Sequence, residues 1–286
     1  MYTLDITMLM LCFLLVIGLC LGSFVNALVW RLYKQTRFSG INKTNSKRQY
    51  SILFGRSMCP DCHHELAPKD LVPVFSWLWL RGKCRYCHKS ISWQYPVVEL
   101  LVALLSVLSY VCWPLGFGAM GVFSFVVWLI FLTAFVALGV YDLRWFILPD
   151  RIIYPLIGLA LVEVIVRATV FSGGWQLVIT AFWGIFFLAG LFGSLYVLSK
   201  GAWIGFGDVK LAIVLGLLVG GPLMALFLIF LASVLGSIVA IPLLINGRAK
   251  ATTQIPFGPF LLVSTIIIVL SGTSFSNWFN NLFYLH

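Results

Sequence analysis

Two short stretches of an otherwise apolar chain carry carboxylates that could work together. The first is Tyr141-Asp142-Leu143-Arg144, running on to Leu148-Pro149-Asp150. The second is Gly205-Phe206-Gly207-Asp208-Val209-Lys210. An ionisable group at the mouth of an apolar segment is costly and points to function by default. Two carboxylates a few ångströms apart do not both ionise easily. One keeps a proton while the other activates water, as in aspartic proteases. That pairing suits general acid–base hydrolysis of a peptide bond. Gly205 and Gly207 place no side chain beside Asp208, which leaves room for an extended substrate backbone, with Lys210 as a supporting cation. The plainer reading makes these acids interfacial caps or ion-pair partners, with Arg144 or Lys210 as counter-charge. It suits Asp150, which follows Leu148-Pro149 and opens an apolar run where an N-cap acid is expected. Asp142 closes an apolar run, where a carboxylate opposes the helix dipole, so Asp142 is the better partner for Asp208. Glu163 and Arg167 stand four apart and read as an ion pair within a helix. Glu99 lacks a sequence-local partner and is a candidate for a polar role near the cytoplasmic surface.

Seven cysteines form a second constellation. Cys12, Cys20 and Cys112 lie singly in apolar runs and read as small hydrophobes. Cys59-x-x-Cys62 and Cys84-x-x-Cys87, 21 residues apart, resemble a four-thiolate zinc site. Pro60 and Gly82 favour the turns that would bring the thiolates to one ion. His63, His64 and His88 are further donors, but four cysteines already fill a tetrahedral set. Such a closed site is structural, because it leaves no open position. A disulfide pair is the alternative, and a reducing compartment disfavours it.

The elements that must position these groups are membrane helices. The 286 residues are 61% hydrophobic and 10% charged, with mean hydropathy +1.03. This composition excludes an ordinary soluble domain. Apolar runs near 8–30, 96–115, 119–141, 152–171, 175–199, 209–220, 223–245 and 258–272 predict an all-α polytopic protein of about eight spans. Gly220-Gly221-Pro222 predicts a tight helical hairpin between the sixth and seventh. The first run lacks the basic start and small-residue exit of a signal peptide and reads as a span.

Twelve of the nineteen Lys and Arg lie between Arg31 and Lys89, against three acids, a local charge of +9. This places 31–95 in the cytoplasm. Threading the spans then puts Arg144, Arg151, Lys200, Lys210, Arg248 and Lys250 on the same side and both termini outside. It also brings Asp142 and Asp208 to one membrane depth. The expected organisation is a first transmembrane helix over 1–30, a small zinc-stapled cytoplasmic domain over 31–95, and a seven-helix membrane domain over 96–286. The topology accounts for the basic charge, so membrane lipids are expected partners and nucleic acid is not.

The chain resembles the bacterial type IV prepilin peptidase family over most of its length. The resemblance rests on Gly22-Ser23-Phe24-Val25-Asn26, Cys59-Pro60-x-Cys62, Val72-Pro73-x-x-Ser76-Trp77, Arg81-Gly82-Lys83-Cys84-Arg85-x-Cys87 and Tyr95-Pro96-Val97-Val98-Glu99. Asp142 through Leu148-Pro149-Asp150, Gly205-x-Gly207-Asp208-x-Lys210 and Ile255-Pro256-Phe257-Gly258-Pro259-Phe260 complete it in order. It departs at Leu32-Tyr33, where Leu-Pro is common, and at Gln94, where Arg is common.

The resemblance implies a bifunctional membrane enzyme. A peptidase cuts the short basic leader of type IV pilins and pseudopilins after glycine at the cytoplasmic face. A methyltransferase then methylates the new N-terminal residue, usually Phe, with S-adenosylmethionine, a task the resemblance gives to the 31–95 part. The catalytic pair maps onto Asp142 and Asp208, and the metal ligands onto Cys59, Cys62, Cys84 and Cys87. The chain carries no glycine-rich fingerprint of a soluble methyltransferase. Presenilin-like intramembrane proteases share the Gly-x-Gly-Asp motif and the Tyr-Asp pair, and offer the competing enzymatic reading. A non-enzymatic scaffold or transporter with a zinc-binding domain is the other.

Overall fold

The computed structural model describes residues 2–37, 50–52, 55–171, 173–247 and 255–283, with side chains from residue 5 to residue 272. Lys43, Lys47 and Arg48, counted in the basic charge above, and Arg248 and Lys250, used in the threading, lie outside these residues. The described chain is helical, with no strand among the described residues. Helices are what apolar runs must form in a bilayer, because each satisfies its own backbone hydrogen bonds. Among the described residues, six helices are long and apolar enough to cross a membrane. Two of the expected spans correspond to shorter helices, Phe206–Val219 and the Gly258–Gly272 part of the last one. The chain divides into two compact units, Met1–Val111 with Leu132–Ala137, and Cys112–Phe131 with Leu138–His286.

The first unit is built on α1 (Tyr2–Arg37) and α3 (Gln94–Val111), with the short α2 (Phe75–Trp79) between them. At 36 residues, α1 outruns its apolar stretch and is about 54 Å long, well beyond the roughly 30 Å of hydrocarbon. α1 and α3 pack along small residues. A Cβ on Gly18 would stand 2.5 Å from Ala103 Cα, and one on Gly22 2.5 Å from Glu99 Cα. Close backbone approach of this kind is how apolar helices associate where lipid competes for their side chains. Above the crossing, the Asn26 side-chain amide donates to the Tyr95 carbonyl at 3.0 Å. Arg31, buried, donates to the carbonyls of Ile52 and Gly55 at 2.9 and 2.7 Å, tying the chain after α1 back onto it.

The second unit holds both ends of α4 (Ala119–Trp145), whose residues Leu132–Ala137 belong to the first, and then α5 (Asp150–Thr169), α6 (Gly174–Ser199), α7 (Phe206–Val219), α8 (Pro222–Ile245) and α9 (Gly258–Phe283), which breaks at Gly272. The 14-residue α7 is about 21 Å long, too short to span unaided. It packs against α5, α6 and α9, and Leu211, Ala212, Val214 and Leu215 are fully buried. α6 and α7 touch backbone to backbone, and a Cβ on Gly184 would meet the Gly216 carbonyl oxygen at 2.3 Å. Gly220 and Gly221 both take positive φ, and the Gly221 N–H donates to the Thr180 carbonyl. The turn is as tight as the sequence predicts, yet α7 and α8 hardly pack on each other. α8 lies instead against α6 and α9, a correction to the expected hairpin. The reason is steric: α7 already spends its faces on α5, α6 and α9.

Gly216→Leu should be costly. The side chain would be driven into the Gly184 backbone, and overpacking of this kind costs about 1–3 kcal/mol or more. A lowered unfolding midpoint in detergent is the expected outcome, whereas Gly190→Leu, whose Cβ would meet nothing within 4 Å, should leave it unchanged.

Candidate active site

Asp142 lies near the C-terminal end of α4, and its carbonyl accepts the Phe146 N–H at 2.8 Å. Phe146 then turns left-handed, with φ 55, and redirects the chain through Leu148 and Pro149 into α5. Asp142 is buried, with 6% of its surface exposed. Its carboxylate does not stay at the unfavourable end of its own helix. It reaches the first residue of α9, where the Gly258 N–H donates to it. A helix start offers free N–H groups and a positive partial charge, so a carboxylate is stabilised there.

Asp208 occupies the first turn of α7, and its carboxylate accepts the N–H of Gly205, the residue that caps the helix. Reaching back to the cap N–H is half of a capping box. The two acids share the site. The place where a Cβ on Gly258 would stand is 2.5 Å from Asp142 Oδ2 and 3.7 Å from Asp208 Oδ1. Any side chain at 258 would therefore push into the space between them. No ion pair to either carboxylate occurs among the described residues.

The flanking residues divide differently from the sequence expectation. Gly205 is exposed, and a Cβ there would meet only Asp208 Oδ2 at 3.5 Å and the Gly207 nitrogen at 3.9 Å, so its approach is open. Gly207 is not open, because a Cβ there would lie 3.1 Å from Leu148 Cβ. Its missing side chain seats α7 on the segment that follows Asp142. Lys210 turns away from both acids and donates to Asp150, between the rings of Phe206 and Tyr154 at 5.1 and 5.6 Å. Asp150 is the first helical residue of α5, capped by Pro149, so it works as an ion partner and not as the N-cap. Leu148 against Gly207 and Asp150 against Lys210 together clamp the α4–α5 connection onto the first turn of α7.

Glu163 and Arg167 form the expected i,i+4 pair at 3.6 Å. Glu99 is buried and accepts the Val74 N–H at 2.7 Å and the Ser23 hydroxyl. Gly258 is the site residue that residue chemistry misses. Its signal in the sequence is Pro256-Phe257-Gly258-Pro259, a helix start with a bare residue between two prolines.

The four cysteines converge. Their sulfurs all lie within 4.8 Å of one another, with Cys59 Sγ 3.9 Å from Cys87 Sγ. Four sulfurs about 2.3 Å from one ion in a tetrahedron stand roughly 3.8 Å apart, so the set fits a metal. Each pair sits in the same tight loop. Cys59 N–H donates to His64 O and His63 N–H to Cys59 O. Cys84 N–H donates to Lys89 O and His88 N–H to Cys84 O. Bridges Met58–Glu65 and Lys83–Ser90 close the two loops, and His63 and His88 both take φ 57. The histidines thus make the turns, while His64 packs on Tyr86, with ring centroids 3.7 Å apart. Burial opposes ionisation of Cys84, but the N–H groups of Cys87 and Tyr86 outweigh it and lower the thiol to about 7. A thiolate is the form a metal binds. Asp70 ties the second loop to the first: it accepts from Arg85 at 2.6 Å, Tyr86 at 3.0 Å and the Ala67 N–H at 3.3 Å.

Comparison with known proteins gives consistent matches. Residues 16–113 match the bacterial peptidase A24 N-terminal domain, and residues 129–241 match the type IV leader peptidase family. The chain is 32% identical to a prepilin leader peptidase/N-methyltransferase of Aeromonas salmonicida, over 92% of this chain and 91% of the relative. It is 32% identical to the Pseudomonas aeruginosa protein of the same name, over 90% and 89%. To the type 4 prepilin-like proteins leader peptide-processing enzyme of Escherichia coli it is 32% identical, over 88% and 90%. No solved structure matches it.

The Asp70 network carries a pH signature. Burial works against its charge, but Arg85, Tyr86 and the Ala67 N–H hold its carboxyl below the usual range. A depressed folded value gives stability that is present above the unfolded pKa and lost as pH falls through the folded one. Asp70→Asn should therefore weaken amide protection across 67–90 by roughly 1–2 kcal/mol at neutral pH. By hydrogen exchange, the gap from the parent protein should close below the ordinary carboxylate range.

Proposed function

Because the chain belongs to the type IV leader peptidase family, we propose that Asp142 and Asp208 are the acids with which it cuts the leader of type IV prepilins and pseudopilins. As a member of this family it is a peptidase with methyltransferase activity. Cleavage follows glycine at the cytoplasmic face, the side to which the 31–95 segment is assigned. The observation that carries this reading is the shared approach of both carboxylates to Gly258.

The ionised acid takes a proton from a water held between the two carboxylates, and the water oxygen attacks the scissile carbonyl. The protonated acid gives its proton to the carbonyl oxygen. Collapse of the tetrahedral intermediate breaks the C–N bond, and a proton returned from the pair leaves with the amine. The general-acid and general-base roles belong to the pair and not to either residue alone. The Gly258 and Gly205 N–H groups hold the carboxylates in place, and the clamp at Leu148 and Asp150 fixes α7 against the α4–α5 connection. The substrate's apolar helix lies in the membrane, with its leader junction at the acids.

The freed amine, usually of Phe, is then N-methylated, for which S-adenosylmethionine supplies the methyl group when bound. Cys59, Cys62, Cys84 and Cys87 hold a structural zinc ion, whose energy of binding folds a segment with little apolar core. A presenilin-like protease would instead cut deeper within the bilayer and gives the cysteine loops no task.

Mass spectrometry of a prepilin incubated with the full-length protein tests both activities. Loss of the leader with gain of one methyl mass is expected; an uncut precursor would sink the reading, and a cut but unmethylated product its second half. Asp142→Asn and Asp208→Asn should each lower cleavage about 10²–10⁴-fold or more with expression retained. Gly258→Ala should reduce kcat by roughly 10²-fold with little change in KM, because it displaces a carboxylate without touching the leader. Elemental analysis should find one zinc per chain, lost in Cys84→Ser.

A further inference from the structure

The segment between α1 and α3 carries an apolar surface that the peptidase chemistry does not use. In α2, Phe75, Leu78 and Trp79 stand at i, i+3 and i+4, so they share one face. They are 67%, 58% and 84% exposed, and Leu71 and Val72 beside them are also exposed. The opposite side of the same turn is anchored: Trp77 donates to the Ile91 carbonyl at 3.2 Å and packs on Trp93, ring centroids 4.1 Å apart. The outward face is therefore held outward by its own partner face. Exposed apolar patches of this kind mark an interaction surface.

Its depth is fixed by α3. That helix has 18 residues, about 27 Å, barely the thickness of the hydrocarbon, so it crosses only if its first turn lies at the membrane boundary. Glu99 is in its second turn, and helical side chains point back toward the N-terminus. Its carboxylate takes the Val74 N–H at 2.7 Å, immediately before α2. Val74 is β-branched and held at φ 61, an unfavourable conformation that needs such a restraint. The Glu99 contact thus pulls the start of α2 down to the level of the first turn of α3.

The charges around the patch have one sign. Lys69, Arg81 and Lys83 are exposed, and Asp70, the single acid between residues 66 and 98, is turned inward to Arg85 and Tyr86. An apolar face with a tryptophan at its edge and cations around it is the composition that settles at a bilayer interface containing anionic lipid.

We propose that Leu71–Trp79 is an interfacial anchor, with Phe75, Leu78 and Trp79 seated among lipid headgroups and upper acyl chains and Lys69 and Arg81 on anionic phosphates. It holds the cysteine loops close to the bilayer surface. The proposal stands on α1 and α3 as membrane helices and is independent of the assignment of the two aspartates.

The test places a fluorescent non-natural amino acid by codon suppression at position 79, and in parallel at position 75 and at the exposed Glu65, in the full-length protein reconstituted into bilayers with brominated acyl chains. Quenching several-fold stronger at 79 and 75 than at 65 is expected, and it should weaken with Lys69→Glu plus Arg81→Glu in phosphatidylglycerol bilayers but not in pure phosphatidylcholine. Equal quenching at all three positions overturns the anchor. So does weak quenching at 79 with shielding from water only when a prepilin is added, which would make the face a peptide-docking surface. Indifference to the charge reversal in phosphatidylglycerol overturns the phosphate contacts.

Discussion

A carboxylate inside an apolar bundle has to be answered by something, and in the second unit the answer is the free N–H at the start of a helix. Asp208 takes the Gly205 N–H at the start of its own helix, α7, and Asp142 crosses to the Gly258 N–H at the start of α9. The arrangement needs no cation, so a pair of carboxyl groups can be set together without a lysine or arginine beside them. It constrains everything nearby. A Cβ at residue 258 would strike the Asp142 carboxylate and displace it. A Cβ at residue 207 would press on Leu148, where α7 seats. Lys210 has to be occupied elsewhere, and Asp150 occupies it.

The first unit solves a related problem differently. Glu99 is as buried as Asp142, but it is bound by the Val74 N–H and by Ser23 on α1, so its hydrogen bonds join a membrane helix to the loop above it. Gly22-Ser23 and Asn26 then have distinct tasks at one crossing: Gly22 admits the Glu99 backbone, Ser23 donates to its carboxylate, and Asn26 holds the Tyr95 carbonyl. Gln94 donates to the Asn26 side-chain oxygen at 3.4 Å and so extends the same network. The cysteine loops use the same kind of donor, since the N–H groups of Cys87 and Tyr86 face the Cys84 sulfur.

Much of the helical architecture is legible in the sequence because it is written locally. Apolar runs announce helices, and Cys-x-x-Cys pairs announce loops. Asp142 is separable from Asp150 because one closes a helix and the other opens one. What stays hidden depends on contacts between residues far apart in the chain. Gly258 meets Asp142, and Val74 meets Glu99, with no periodicity or spacing to reveal either. Gly207 reads in the sequence as clearance for a ligand, but the space its side chain would fill is taken by Leu148. The splay of α7 and α8 is hidden for a similar reason: the Gly-Gly-Pro turn fixes where the chain reverses, but the faces of α7 already used by α5, α6 and α9 decide what α8 packs on.

The helix dipole makes Asp142 costly in its own helix, but accounts for only half of how it is tolerated. An acid at the end of α4 is unfavourable for α4, and the fold removes the penalty by placing that acid at the beginning of another helix. Asp150 sits on the favourable end of its own helix and is bound to Lys210. The two aspartates of one sequence motif differ in kind because of what each faces. Asp142 faces an N–H and a second carboxylate, an arrangement that can hold and release a proton. Asp150 faces an ammonium, and that pairing keeps the α4–α5 connection in place.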